Sequence, residues 1–302
     1  MTDRASWAIV TIAREPPDVI RRFVAWHLDQ GASRILIHFD DPDDPCIEML
    51  SHLPQVESVR CTPEFWAALG ISREKRRMNF IQNAVRKHGY DRAGEAWVLP
   101  LDADELMLAG PGRSISQLLT AAPEDARVIQ VRPAEVVTLA DGDERDAFRV
   151  PMNREECRRV YGDFWQFMVR NQGLAGHNAG KSFVRTGLAP FRMRPHWIEA
   201  PGGERIIDRV LDRNDGFYLL HYVDSGYDDW RRKLEYRVRL KGYRPRLRER
   251  LGDVLERGDE AEIRRHYGLM HSFDARQTET ARDLGLLFEP GLAFEEVVAR
   301  YF

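Results

Sequence analysis

Short apolar, β-branched runs alternate with amphipathic stretches over the first hundred residues, and this alternation predicts an α/β chain with parallel strands. Trp7–Ala13 (W-A-I-V-T-I-A) reads as a buried central strand, broken by Arg14-Glu15-Pro16-Pro17. A helix is expected over 17–31, with proline in its first turn, Ile20, Phe23, Val24, His27 and Leu28 on one side, and Gly31 as terminator. His27 on that apolar side reads as a packed core histidine. Arg34–Phe39 is a second strand, and strand, helix and strand in this order form a βαβ unit with right-handed parallel pairing. Val56–Arg60 reads as a third strand. A helix is expected over 72–89, with Ser72 as N-cap, Phe80, Ile81, Ala84 and Val85 on its apolar side, and Gly89 at its end. The next apolar run, 97–106, reads as one buried strand.

Downstream, 114–122 predicts a short amphipathic helix and 127–138 one long strand. Residues 139–180 are weakly periodic, with aromatics at Tyr161, Phe164, Trp165 and Phe167, and read either as a substrate loop or lid or as an insertion without catalytic interest. Strands are expected at Lys181–Arg185 and at 217–222, the latter carrying His221 near its end. From Tyr227 onward the chain reads as helical. No repeat or low-complexity linker is visible.

Composition narrows the class. A chain of 302 residues with 43% hydrophobic and 31% charged residues has room for a sizeable core in one large or two smaller domains. A net charge of −3 argues against a dedicated nucleic-acid binder, whose footprint is usually strongly basic. The three cysteines, Cys46, Cys61 and Cys157, are scattered without metal-ligand spacing and fit a reducing compartment. With no signal-peptide pattern and no apolar run of about 20 residues, a cytoplasmic protein is expected. Membrane association would then be peripheral, through 231–250, where ten Lys or Arg face two Glu beside a narrow stripe of Trp230, Leu234, Val238 and Leu240. That stretch reads either as a face for anionic lipid or an anionic acceptor, or as a solvated basic surface.

The chemistry concentrates at strand ends. No G-x-G-x-x-G follows the first strand, which weakens a dinucleotide-binding reading. Instead Asp40 and Asp41 close the second strand, where they either accept hydrogen bonds from a ribose or base or form a solvated Asp-Pro turn. The run 97–106 delivers Asp102, Asp104 and Glu105. In an extended chain Asp102 and Asp104 project the same way, roughly 7 Å apart, and two hard oxygen ligands suit a divalent metal that also holds phosphate oxygens. The alternative is an acidic turn. Lys75, Arg76 and Arg77 oppose the dipole of the 72–89 helix, and either meet an anion such as a diphosphate or lie on a solvated face.

In this order the chain resembles glycosyltransferase family 2-like proteins of GT-A fold, most closely the group related to the family 92 transferases. The resemblance is carried by Ala13-Arg14-Glu15 after the first strand, Asp40 after the second, and Leu101-Asp102-Ala103-Asp104-Glu105-Leu106, which is similar to the D-x-D-E metal motif. It continues through Lys181-Ser182-Phe183-Val184-Arg185, His196, and Leu220-His221-Tyr222 with Ser225, Trp230 and Lys233. It implies a Rossmann-like, mixed but mostly parallel sheet flanked by helices, a GT-A-like domain over 1–240 and a helical extension over 241–302. It also implies a UDP- or GDP-sugar donor lying across the strand ends. Ala13, Arg14, Glu15 and Asp40 would hold base and ribose. Mn²⁺ or Mg²⁺ would bridge Asp104 and the diphosphate, Asp102 would contact the ribose or the metal through water, and His221 would complete the metal sphere. Arg76 and Lys181 become phosphate partners. Glu135, Asp163 and Glu199 are unranked candidates for a catalytic base, and the acceptor (glycan, lipid or cell-surface polysaccharide) stays open. A sugar nucleotidyltransferase and a non-enzymatic GT-A-like binding protein are the competing readings.

Overall fold

A computed structural model describes residues 4–140, 147–223, 226–240 and 242–302, the side chain of Glu74 apart. Ser225 lies outside the described residues. The chain runs β1 (Trp7–Ala13), α1 (Pro17–Asp29), β2 (Arg34–Phe39), β3 (Val56–Arg60), α2 (Met78–Arg92), β4 (Trp97–Pro100), β5 (Glu105–Ala109), β6 (Val128–Val131), β7 (Pro133–Val136), β8 (Phe148–Arg149) and α3 (Arg154–Tyr161). It continues as β9 (Lys181–Arg185), β10 (Arg209–Leu211), β11 (Phe217–His221), α4 (Tyr227–Arg239), α5 (Pro245–Arg257), α6 (Glu260–His271), α7 (Ala275–Asp283) and β12 (Leu287–Phe288), with shorter turns and helices between. Two compact units result. The first comprises 1–132, 179–219 and 293–302, and the second 133–178 and 220–292.

The first unit is built on a seven-stranded sheet in the order β10-β6-β9-β4-β1-β2-β3. The pairs β1–β2, β2–β3, β1–β4 and β6–β10 are parallel, and only β9 runs against its neighbours β4 and β6. This mixed, mostly parallel sheet flanked by helices is the architecture that the GT-A resemblance implies. Its central strands are fully buried because they are apolar on both faces: Trp7, Ala8, Ile9 and Val10 of β1 and Ile35, Leu36 and Ile37 of β2 are all 0% exposed.

Helix α1 does more than cover the sheet. The Trp26 indole N–H donates to the Met107 carbonyl at 2.8 Å, the Met107 N–H donates to His27 Nε2 at 3.0 Å, and the Ala109 N–H donates to Gln30 Oε1 at 2.9 Å. Side chains of one helix thus satisfy the backbone of β5, which would otherwise hold buried polar groups without partners. Because a backbone N–H can only donate, His27 Nε2 must be the acceptor nitrogen, and Nδ1–H donates to Phe23 O at 2.8 Å. Burial lowers the His27 pKa to about 3, and burial followed by the neighbouring His88 lowers that of His38 to about 4. An imidazole held neutral when folded lets the unfolded chain bind more protons below its ordinary pKa, so stability falls as pH drops below about 6.5. Urea unfolding is expected to give a stability about 2 kcal/mol lower at about pH 5 than above pH 6.5 from His27 alone, with His38 adding to it. A flat profile would contradict the neutral, accepting His27.

Several expected elements differ, the 97–106 run among them. The helix expected over 72–89 is a 3-10 turn at Arg73–Lys75 followed by α2, which runs on to Arg92, and Ser72 makes no side-chain cap. Gly89 does not end α2. It lets the helix approach β1, since a Cβ there would meet Val10 at 2.4 Å. The single strand expected over 127–138 is divided among β6, β7 and a further short strand. Arg132 still donates to Leu211 O, but Pro133 has no N–H to extend that ladder, and β7 belongs to the second unit. The weakly periodic 139–180 stretch contains β8, α3 and short helical turns, with residues 141–146 outside the described ones.

In the second unit β7 pairs with β8 and β8 with β12, both antiparallel, so that Glu135 lies directly across from Arg149. The basic stretch 231–250 spans the end of α4 and the start of α5. Trp230 and Leu234 are buried as expected, whereas Leu240 is 57% exposed. Much of its charge is locally paired: Arg231 with Glu260, Arg232 and Lys233 with Asp229, and Arg250 with Glu262. No described helix is long and apolar enough to cross a membrane.

Candidate functional site

Strand order directs attention to the first unit. β2 and β3 extend the sheet to one side of β1, and β4 lies on the other, so the order reverses between β1 and β4. In open α/β sheets such a switch leaves a crevice beyond the carboxyl ends of the strands, where ligands bind. The chain places Ala13 at the end of β1, Asp40 just past β2, and Asp102 and Asp104 just past β4. The Asp40 N–H donates to Ala13 O at 3.2 Å, tying the first two ends together. The Asp40 carboxylate accepts two hydrogen bonds from Arg73, at 2.9 and 2.8 Å. Such a fork fixes the carboxylate plane. Arg73 was not singled out from the sequence. Arg14 and Glu15 are exposed, and the exposed Arg76 guanidinium lies 4.7 Å from the centre of the Phe80 ring rather than in the first turn of a helix.

The acidic run is a turn, not the continuous strand expected over 97–106. β4 ends at Pro100 and β5 begins at Glu105, so the pairwise projection of Asp102 and Asp104 along one extended chain does not hold. The turn is braced reciprocally. The Asp102 N–H donates to Glu105 Oε2 at 2.9 Å and the Glu105 N–H to Asp102 O at 3.1 Å. Because β9 is antiparallel to β4, its first residue, Lys181, arrives at the end where β4 stops. Lys181 Nζ lies 2.5 Å from Asp102 Oδ2 and 2.8 Å from Glu105 Oε2 and is 1% exposed. Arg86, buried on α2, donates to Asp102 Oδ1 at 2.6 Å. Desolvation pushes the Asp102 carboxyl up, but the charges of Lys181 and then Arg86 outweigh it and bring its pKa down to about 2. Both oxygens of Asp102 thus face cations, and Lys181, expected as a phosphate partner, faces carboxylates. Asp104, partly buried, sits in the turn between the two strands. The second terminal nitrogen of Arg86 is buried and finds no acceptor among the described residues.

The second unit has its own buried polar centre. Glu135 and Arg149 are both 0% exposed. Glu135 Oε1 accepts from Arg149 Nε at 3.0 Å and from the Ala175 N–H at 2.7 Å, and Oε2 accepts from the Gly176 N–H at 2.6 Å. Arg149 Nη1 donates to the Tyr161 hydroxyl at 2.9 Å and to Met270 O at 2.6 Å. Burial raises the Glu135 carboxyl, yet Arg149, then His221, and these hydrogen bonds hold it below the usual range. His221, the last residue of β11, places Nδ1 4.0 Å from Glu135 Oε2, and its ring packs 4.7 Å from that of His177. Gly176 is squeezed against this centre, where a Cβ would meet His221 Cε1 at 2.6 Å and Glu135 Oε2 at 2.8 Å. Of the three carboxylates considered as a base, Glu135 therefore serves a buried ion pair. Glu199 accepts from Arg194 and from the Trp197 indole, and Asp163 is exposed. His177 was missed because Gly-His-Asn-Ala-Gly reads as a loop. The flanking glycines, one of them forced by packing, were the available signal.

No family model matches the sequence, and no curated protein matches it. Among solved structures the chain is similar to GalNAc-T7, solved with UDP, GalNAc and Mn²⁺, at 15% identity over 45% of this chain and 24% of that one, with a TM-score of 0.32. It is similar to HddC from Yersinia pseudotuberculosis at 10% identity over 77% of this chain and 99% of that one, TM-score 0.37. A third is glucosyl-3-phosphoglycerate synthase from Mycobacterium tuberculosis, solved with Mn²⁺, UDP-glucose and phosphoglyceric acid, at 10% identity over 60% of this chain and 57% of that one, TM-score 0.31. The chain thus spans about a quarter of the first of these proteins and just over half of the third.

Proposed function

We propose that the chain is a metal-dependent glycosyltransferase that takes a nucleotide-sugar donor, UDP- or GDP-linked, in the crevice of its first unit. One observation carries this reading: Ala13, Asp40 and the Asp102–Asp104 turn sit at the carboxyl ends of three adjacent parallel strands, on both sides of the point where strand order reverses. The family 2-like motifs, and their finer likeness to the family 92 group, support the same assignment. Asp40, its plane fixed by Arg73, is suited to accept from ribose hydroxyls beside the 13–15 backbone. Asp102, clamped by Lys181 and Arg86, sets the turn that presents Asp104. We assign Asp104 as the metal carboxylate. A carboxylate oxygen is a hard ligand that suits Mn²⁺ or Mg²⁺. When bound, such an ion neutralises charge on a departing diphosphate.

The reading is tested by thermal unfolding with UDP or GDP and Mn²⁺. At a hundredfold excess over Kd, a bound nucleotide stabilises by about 2.7 kcal/mol. Either UDP or GDP is expected to raise the Tm, and Asp104→Ala to abolish the rise. No shift with either would overturn the proposal. A sugar nucleotidyltransferase would instead release pyrophosphate from a nucleoside triphosphate and a sugar phosphate. The Ala13-Arg14-Glu15-Pro16-Pro17 turn, which lacks the glycine-rich loop expected of such enzymes, disfavours it.

A further inference from the structure

A cavity of about 390 Å³ lies within the second unit, lined by Phe167, Asn171, His177, Tyr243, Arg244 and Arg248 among others, with no carboxylate in its wall. Arg244 is the N-cap residue of α5 and Arg248 follows one turn later, with the Arg248 N–H donating to Arg244 O at 2.9 Å. The two guanidiniums therefore rise on one side of the same helix. Like charges at this spacing destabilise a helix. Neither side chain has an acidic partner among the described residues, in contrast to Arg231 and Arg250, which are matched with Glu260 and Glu262. The first turn of α5 also carries no acidic residue and has no side-chain cap, so the positive end of the helix adds to the same field. Two guanidiniums without an acidic partner among the described residues, Arg244 exposed at the rim and Arg248 half-buried, an uncapped helix start and a lining without acids are complementary to a doubly charged oxyanion, which guanidinium forks bind in the plane.

We propose that this cavity binds a phosphate group carried on a small hydroxylated body, gripped by Arg244 and Arg248 with the body directed towards Asn171, Tyr243 and His177. His177 packs on His221 in the same unit. On the transferase reading above, which this step depends on for its role but not for its existence, the compound held here is of the class that would serve as acceptor, a phosphomonoester or phosphodiester. The phosphate is carried either by a soluble metabolite or by a lipid headgroup.

The test uses the full chain and two probes. Calorimetric titration with glycerol 3-phosphate, with glycerol as the neutral control, reads the soluble source. Co-sedimentation with phosphatidic acid vesicles, with phosphatidylcholine vesicles as control, reads the headgroup. Saturable binding to either charged probe is expected, weakened at least tenfold in Arg248→Gln, lost in the Arg244→Gln/Arg248→Gln double variant and partly restored in Arg248→Lys. Absence of binding to both probes, or binding that survives in the double variant, would overturn the proposal. The Tm shift with UDP or GDP and Mn²⁺, measured on the same samples, separates the two claims. Its loss in the unmutated chain removes the donor reading and leaves the phosphate site standing. Its persistence in the double variant shows that the substitutions acted on this cavity alone.

Discussion

Lys181→Met is expected to destabilise the chain by about 3–5 kcal/mol, the usual cost of removing one partner from a buried ion pair. Methionine preserves length and most of the volume, so the loss reads the charge rather than a cavity. Lys181 Nζ is shared between Asp102 and Glu105, and Glu105 is 0% exposed. Without the ammonium, two carboxylates share one turn with only Arg86 to offset them, and the pair holds a proton to higher pH than either carboxyl would alone. The pH dependence gives the signature. In the unmutated chain the Asp102 carboxyl is depressed from 3.8 to about 2, so its contribution is fully present above about pH 4 and is lost as pH falls towards 2. In the variant the sign reverses, because protonating the carboxyl pair relieves repulsion. The stability gap between the two proteins, from urea unfolding, is therefore expected to be widest near neutrality and to narrow from about pH 6 to pH 4. A gap of under about 1 kcal/mol, or one that does not change with pH, would refute the shared-ammonium account.

What was legible in the sequence follows from how the signals arise. β1, α1, β2 and β9 carry their own punctuation: apolar runs followed by prolines, aspartates or glycine, with one face or both buried. Hence the βαβ unit, the mostly parallel sheet and the strand-end positions of Asp40 and Asp102 could be read directly. The turn after β4 could not. Leu99-Pro100-Leu101 carries the apolar pattern to the end of the ladder, where the Leu101 N–H still donates to Val10 O, and the turn beyond it is set by the reciprocal hydrogen bonds between Asp102 and Glu105, which the apolar pattern does not reveal. The cations around Asp102 depend on non-local placement. Lys181 is brought in by antiparallel pairing of a strand roughly 80 residues downstream. Arg86 falls within the buried stripe of α2 with Ile81, Val85, Gly89 and Tyr90. An arginine in an apolar stripe is a visible signal of a buried ion pair, although the nearby basic cluster at 75–77 is the more conspicuous feature of the sequence. Glu135 and Arg149 were hidden for a similar reason: each looks like an ordinary charged residue until strand register sets them opposite one another.

That pair provides the second large effect. Glu135→Gln is expected to cost about 3–5 kcal/mol, since it leaves a fully buried Arg149 guanidinium without its counter-charge and turns into a donor one of the two oxygens that accept from the Ala175 and Gly176 N–H groups. Arg149→Met is expected to cost a similar amount by stranding the carboxylate. The double replacement Glu135→Leu/Arg149→Met is expected to cost much less than the sum, because exchanging a whole buried pair for apolar side chains is often close to neutral. Additive costs would show that the two residues act independently. A local consequence goes beyond stability. Glu135 fixes the Ala175–Gly176 backbone, Gly176 lies close against His221, and the His177 ring packs on that of His221. Glutamine can present one oxygen to these N–H groups but must turn its amide towards either the guanidinium or the backbone, and both are donors. The loop is therefore released even in molecules that remain folded. The imidazole signals of His177 and His221 in a proton–nitrogen correlation spectrum are expected to shift or broaden in Glu135→Gln while those of His27 and His38, in the first unit, stay in place. Unchanged His177 and His221 signals would mean that the loop holds its histidines without the carboxylate.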